Sequence, residues 1–285
     1  MSDKNRGLLL AFIGIMILSF DSLFVKLSNS TAWNVLFWRG AFQCIVLVIV
    51  QLLYNRKQFS AEISRPSLSI LGLGFIFAAS TVCFIESLHY TQVASTLVII
   101  NTAPFFTAIL GFVFLKEKLK WPTLLAIGIA TSGIWIIFAF APAGGQWVGN
   151  LLALITALAT AIYLVAMRKT KGEQAANILI VAGFMIAVFA YIKGAQPFSL
   201  SHIQMLYLLI LGGIVVPGSY LCISKSTAYI PAAQTSLILL MEILLGPLYV
   251  FLVIGEQPSL NDILGGAIIL ITLGIYTVWD IKQSA

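Results

Sequence analysis

Charge is what this sequence has least of. Of its 285 residues only 9% are Asp, Glu, Lys or Arg, against 60% hydrophobic, and the mean hydropathy is +1.02. A soluble domain carries roughly 25% charged residues because its surface faces water, so a single water-soluble core is excluded. A disordered chain, which is poor in apolar residues, is excluded too. The two histidines, His89 and His202, and the three cysteines, Cys44, Cys83 and Cys222, are scattered. They show neither metal-ligand spacing nor a disulfide framework, so no metal or cofactor is expected, and the cysteines read as small packing residues. No G-x-x-x-x-G-K-[ST] loop is present, which argues against ATP hydrolysis by this chain. The short alternating segments of an outer-membrane barrel are missing as well.

What the sequence has instead is a series of long apolar runs. Read at roughly 20 residues per span, it holds ten: 8–27, 34–54, 68–89, 93–115 and 122–140, then 148–167, 177–192, 205–227, 232–254 and 260–279. The seventh is short and interrupted by Gly183. The first follows Lys4 and Arg6 like a secretory signal, but it lacks a small-x-small cleavage site and reads as a retained helix. With a cytoplasmic N-terminus, the inner segments collect Lys4, Arg6, Arg56, Lys57, Arg65, Lys116, Lys118, Lys120, Arg168, Lys169, Lys171, Lys225 and Lys282, leaving only Lys26, Arg39 and Lys193 outside. That bias predicts both termini inside. It also accounts for the net charge of +6 without nucleic acid as a partner.

The halves repeat weakly. A shift of 142 aligns Gly7-Leu-Leu-Leu-Ala11 with Gly149-Asn-Leu-Leu-Ala153 and pairs Asp21 with Tyr163 and Lys26 with Arg168. A shift of 139 pairs Cys83 with Cys222, Tyr90 with Tyr229, Ala94 with Ala233, Thr96 with Thr235 and Glu117 with Glu256. Five spans per half is an odd number, so the halves, residues 1–142 and 143–285, are expected to cross the membrane in opposite senses. The expected fold is therefore an all-α membrane protein of ten helices in two inverted repeats, with a substrate site near the midplane between them.

The stretch Leu88-His-Tyr-Thr-Gln-Val-Ala-Ser-Thr-Leu97, with Ala103-Pro104, Glu117 and Gly128 to Gly133, resembles the EamA-type module of the drug/metabolite transporter superfamily. Ala228-Tyr-Ile-Pro-Ala-Ala233, Glu242, Gly255-Glu256 and Gly265-Gly266 to Gly274 resemble it a second time. One departure is Ile243 after Glu242, where many relatives carry proline; here Pro247 follows one turn later. The resemblance implies a ten-helix carrier of small organic metabolites, commonly amino acids and related compounds and often an exporter, in a bacterial inner membrane. It also implies a cavity built mainly from helices one, three, four, six, eight and nine.

Ionisable residues inside spans cost at least about 2.5 kcal/mol each near a helix centre, so each needs a reason. Glu242 lies about 15 Å into its span at 1.5 Å per residue, close to the midplane, and is the best candidate for a substrate cation or a proton. Asp21, Lys26, Arg39 and Glu86 fall in the outer layer. Asp21 and Lys26, about 140° apart around a helix, are poor partners for each other. Asp21 or Glu86 is expected to pair with Lys26 or Arg39 between helices, as an outer gate or polar lining, unless the two cations snorkel to the interface. Asn101 and Thr102 precede Pro104, whose ring frees a carbonyl, and either line a cavity or pack helices. Tyr163 and Tyr220 could stack on an aromatic or cationic substrate. Glu117 and Glu256 read as caps on the amides of the helices that follow them. The basic runs 116–120 and 168–171 read as topology charges.

A secondary transporter is the leading reading: an amino acid or similar zwitterion as substrate, export as the expected direction, the bilayer and protons as partners, and a monomer or homodimer as the assembly. An organic cation such as a quaternary amine is the alternative substrate. A membrane-embedded enzyme would need a clustered acid, base or metal constellation, which two separated histidines do not supply. A channel stays open as a further class.

Overall fold

The computed structural model describes residues 3–54, 67–115, 146–232 and 241–260, together with 121, 125, 128, 129, 132, 235, 238, 239, 263–268, 270–272, 274 and 275. Every regular element among the described residues is helical. Seven segments among them are long and apolar enough to cross a membrane: Asp3–Leu27, Ala32–Tyr54, Leu68–Tyr90, Val93–Phe114, Gln146–Lys169, Ala175–Ile192 and His202–Ser226. Met241–Ile254 and Ile263–Thr272 are shorter apolar helices. The expected span at 122–140 falls largely outside the described residues, as do Glu117 and Gly133.

Several spans read as continuous are broken, and the breaks have local causes. The first divides into α1 (Asp3–Leu18) and α2 (Asp21–Leu27). At the joint the Ser19 hydroxyl donates to the Ile15 carbonyl (2.8 Å), competing with the helix ladder. After α3 (Ala32–Tyr54) and α4 (Leu68–Tyr90), the fourth span divides into α5 (Val93–Ile100) and α6 (Ala103–Leu115). Asn101 Nδ2 donates to Leu97 O (2.8 Å) and Thr102 Oγ1 to Ile99 O (2.7 Å), just before Pro104, which lacks an N–H to continue the ladder.

In the second half, α7 is Gln146–Lys169 and α8 is Ala175–Ile192, unbroken at Gly183. The glycine expected to interrupt this helix is instead where it touches α3: a Cβ at Gly183 would lie 2.7 Å from the Gly40 carbonyl oxygen. The eighth span begins earlier than expected, at α9 (His202–Ile210), because Ser201 and Gln204 form a reciprocal capping box. It passes through a π-helical turn at Leu211–Val215 into α10 (Val216–Ser226). The ninth span is interrupted beside Leu239, and α11 (Met241–Ile254) follows with Pro247 inside it; α12 is Ile263–Thr272.

The main packing pairs are α3 with α8, α4 with α7 and α1 with α10. Lipid tails are as apolar as the helix surfaces, so close backbone approach and buried hydrogen bonds hold such pairs together. Gln43 Nε2 donates to Leu179 O (2.6 Å) between α3 and α8. Thr156 Oγ1 reaches Ser80 O (3.3 Å) between α7 and α4. The ends of α7 and α10 meet at Gly172, whose φ of +70° favours glycine and whose Cβ would run into the Ser224 carbonyl.

Some contacts recur with the sequence shift. Ser87 and Thr96 share a hydrogen bond (2.8 Å), and so do Ser226 and Thr235 (3.2 Å), each pair 139 residues from the other. Gly7 packs against Tyr229 and Ile230, and Gly149 packs against Tyr90 and Thr91.

Candidate functional site

The broken helices surround a central cavity. Asp21, Arg39, Phe77, Asn101, Tyr163, Tyr220 and Glu242 border it. Asp21 opens α2 directly after the break at Ser19, and Arg39 reaches it from α3. The guanidinium grips both carboxylate oxygens, at 2.5 and 2.7 Å, and each residue is only 2% exposed. The fork geometry of arginine suits this bidentate contact. Arg39 is held on two further sides. Its guanidinium lies 5.6 Å from the Phe84 ring centre. The π-helical turn brings Gly212 so close that a Cβ there would sit 2.7 Å from the Arg39 carbonyl oxygen. The Arg39 Nε–H is buried and has no partner among the described residues.

Glu242 sits in the first turn of α11, 8% exposed. Its backbone N–H donates to Leu239 O (3.0 Å), while its side chain forms no hydrogen bond or ion pair among the described residues. Beside it stand three rings in mutual edge contact: Phe77 to Tyr220 (4.7 Å between centres), Phe77 to Tyr163 (5.2 Å) and Tyr163 to Tyr220 (6.0 Å). Tyr163 Oη and Ser224 Oγ share a hydrogen bond of 2.7 Å. The cavity thus combines a self-neutralised ion pair, a carboxyl group without a partner among the described residues and an aromatic wall that can receive a cation.

Other residues named from the sequence lie elsewhere. Thr102 is buried but does not border the cavity; its hydroxyl is used on the α5 carbonyl. Glu86 does not border it either, and one of its carboxylate oxygens is buried without a partner among the described residues. Lys26 pairs with neither Asp21 nor Glu86. Asp21 is fully occupied by Arg39, and Lys26, on another face of α2, reaches Glu256 at 3.2 Å. Glu256 Oε1 meanwhile accepts the Val93 N–H (2.9 Å), and Gln92 Oε1 accepts the Ser259 N–H (3.1 Å). The expectation that Glu256 caps the helix after it is corrected: it caps α5, far away in sequence. Arg168 is likewise more than a topology charge, since it donates to the carbonyls of Thr227 (2.8 Å) and Ile230 (3.3 Å) at the end of α10. Phe77, Phe84 and Ser224 carried no sequence signal distinguishing them from packing residues.

The EamA-like transporter family matches residues 5–139 and 147–278. The chain belongs to the EamA-like transporter family. Among its relatives, this EamA-like protein is 25% identical to the uncharacterized transporter YdfC of Bacillus subtilis, over 90% of this chain and 85% of that one. It is 22% identical to the S-adenosylmethionine uptake transporter of Rickettsia conorii, over 89% and 85%. An uncharacterized transporter of Clostridium kluyveri is 26% identical, but the match spans 64% of this chain and 62% of that protein's length. A solved crystal structure superposes with a TM-score of 0.73 at 14% identity, over 97% of this chain and 98% of that chain. That likeness shows the fold. The chain is an all-helical multi-pass membrane protein of a transporter family.

Proposed function

We propose that this EamA-like protein is a secondary transporter of a small zwitterionic metabolite, an amino acid or close derivative. It works by alternating access in a bacterial cytoplasmic membrane, with both termini inside. The Asp21–Arg39 pair carries this reading. A zwitterion's ammonium and carboxylate can replace the two partners one for one, so binding exchanges one ion pair for two and leaves no net charge stranded in a low-dielectric site. The rickettsial relative named for S-adenosylmethionine supports it, since that compound has the same α-amino and α-carboxylate groups. The recurring contacts at Ser87–Thr96 and Ser226–Thr235, and at Gly7 and Gly149, support two inverted repeats, residues 1–142 and 143–285, rocking about the cavity. Protons are the proposed driving ion, Glu242 their site and export the direction.

The purified protein in proteoliposomes is expected to show saturable counterflow of labelled amino acids or S-adenosylmethionine; unsaturable conductance would replace the carrier with a channel. Glu242→Gln is expected to abolish pH-driven transport while leaving the protein folded, and an unchanged pH dependence would remove the proton role.

In this cycle Lys26, Glu256 and the Val93 amide form the outer gate. The pair is partly exposed, 27% and 22% by side chain, so breaking it should cost at most about 1 kcal/mol of stability. Locking it should stop transport. A Lys26→Cys/Glu256→Cys protein is expected to lose transport when a reducible bifunctional thiol reagent bridges the two positions and to regain it on reduction. Full transport with the bridge formed would mean that these residues do not separate during the cycle.

A further inference from the structure

We infer that the cavity is charge-matched to an amino acid bearing a second cationic group, so that the bound ligand carries one more positive than negative charge. This rests on the amino-acid reading above and adds to it. Among the described residues bordering the cavity, the charged side chains are Asp21, Arg39 and Glu242. Two of them cancel in a bidentate pair. The third has no hydrogen bond or ion pair of its own among the described residues, although it is only 8% exposed. An isolated carboxylate in such a place is costly unless something positive meets it. A neutral zwitterion would have to be accompanied by a proton for Glu242. A ligand with a second cation brings the charge itself.

Each ligand group has a place in this arrangement. Its carboxylate is received by the Arg39 guanidinium at the cavity border, in exchange for the Asp21 contact. Its α-ammonium is received by the Asp21 carboxylate that Arg39 releases. Its second cation, a side-chain ammonium or sulfonium, is received by Glu242, beside the ring cluster of Phe77, Tyr163 and Tyr220. Those rings can stabilise a cation on a face while excluding water from the charge pair. The specificity-determining residue is then Glu242, and the ion pair reads only the amino-acid backbone.

Four compounds on closely related chains separate these roles: lysine, norleucine, 2-aminoadipate and pentane-1,5-diamine. Titration calorimetry on the full-length protein in lipid nanodiscs is expected to show lysine binding at least about tenfold tighter than norleucine, the scale of one charge-assisted contact. 2-Aminoadipate should be weaker than norleucine, and pentane-1,5-diamine weaker than lysine. Glu242→Gln is expected to bring the lysine-to-norleucine ratio close to one, and Glu242→Asp to restore it. Norleucine binding as tightly as lysine, or a ratio that survives Glu242→Gln, overturns the inference and leaves the amino-acid carrier standing. Failure of all four to bind, or tightest binding by pentane-1,5-diamine, overturns both.

Discussion

Asp21→Asn is expected to cost about 3–5 kcal/mol of stability and to abolish transport, and Arg39→Gln the same, whereas the double substitution recovers most of the stability and none of the transport. The asymmetry follows from how buried ion pairs work. Desolvating two charges offsets most of their attraction, so the intact pair contributes little net stability, but removing one partner strands the other in a low-dielectric site. Here the stranded charge cannot reach water. Arg39 is 2% exposed, its guanidinium stacks near Phe84 and its backbone is pressed by Gly212, so it cannot snorkel to the membrane surface. Asp21 is at the start of a helix of only seven residues with α3 across from it. Removing both charges leaves neutral groups that can hydrogen-bond to each other, while the site loses the charges a zwitterion would engage. Thermal unfolding of the four proteins in one lipid system, together with counterflow, completes the cycle. A double variant as unstable as either single one would mean that the pair is not the unit that matters.

Depth along a span is readable from residue number, because a helix advances 1.5 Å per residue, and depth places Glu242 near the midplane and Asp21, Lys26, Arg39 and Glu86 together in the outer layer. Partner choice is not readable that way. It depends on rotation about the helix axis and on where the helix is broken. At the break the Ser19 hydroxyl turns back on the Ile15 carbonyl, a local contact that a hydropathy reading passes over. Lys26 therefore had open partners in the sequence and finds Glu256 in the fold. Glu256, 230 residues away from Lys26, reads locally as a helix cap because a carboxylate before a helix usually is one; its target proves to be the Val93 amide on a different helix. The capping box at Ser201 and Gln204 was legible in principle, since the S-x-x-Q spacing stands in the sequence. Phe77 was not visible in the same way. In a chain with 12% aromatic residues, nothing local separates a ring that borders a cavity from one that faces lipid.

Glycine gives the second large effect. Gly40→Ala is expected to destabilise the protein by about 1–3 kcal/mol, the range for overpacking, and Gly40→Leu to prevent folding. A Cβ at position 40 would lie 2.5 Å from the Gly183 carbonyl oxygen and 2.9 Å from the Ala187 amide nitrogen. Both obstacles are backbone atoms, which cannot rotate away as a side-chain tip can, so α3 and α8 have to separate. Separation would stretch the Gln43 to Leu179 hydrogen bond, which no water in the bilayer replaces. It would also displace Arg39, the neighbour of Gly40, so transport should fall further than stability does. Gly72 on α4 is the control, because a Cβ there meets nothing within 4 Å. Gly72→Ala is expected to be neutral or to stabilise by up to about 1 kcal/mol, through the reduced freedom of the unfolded chain. Equal losses at positions 40 and 72 would show that the penalty is a general cost of replacing glycine here and not the closeness of two helices. Loss at 40 alone assigns it to the contact that holds Arg39 against Asp21.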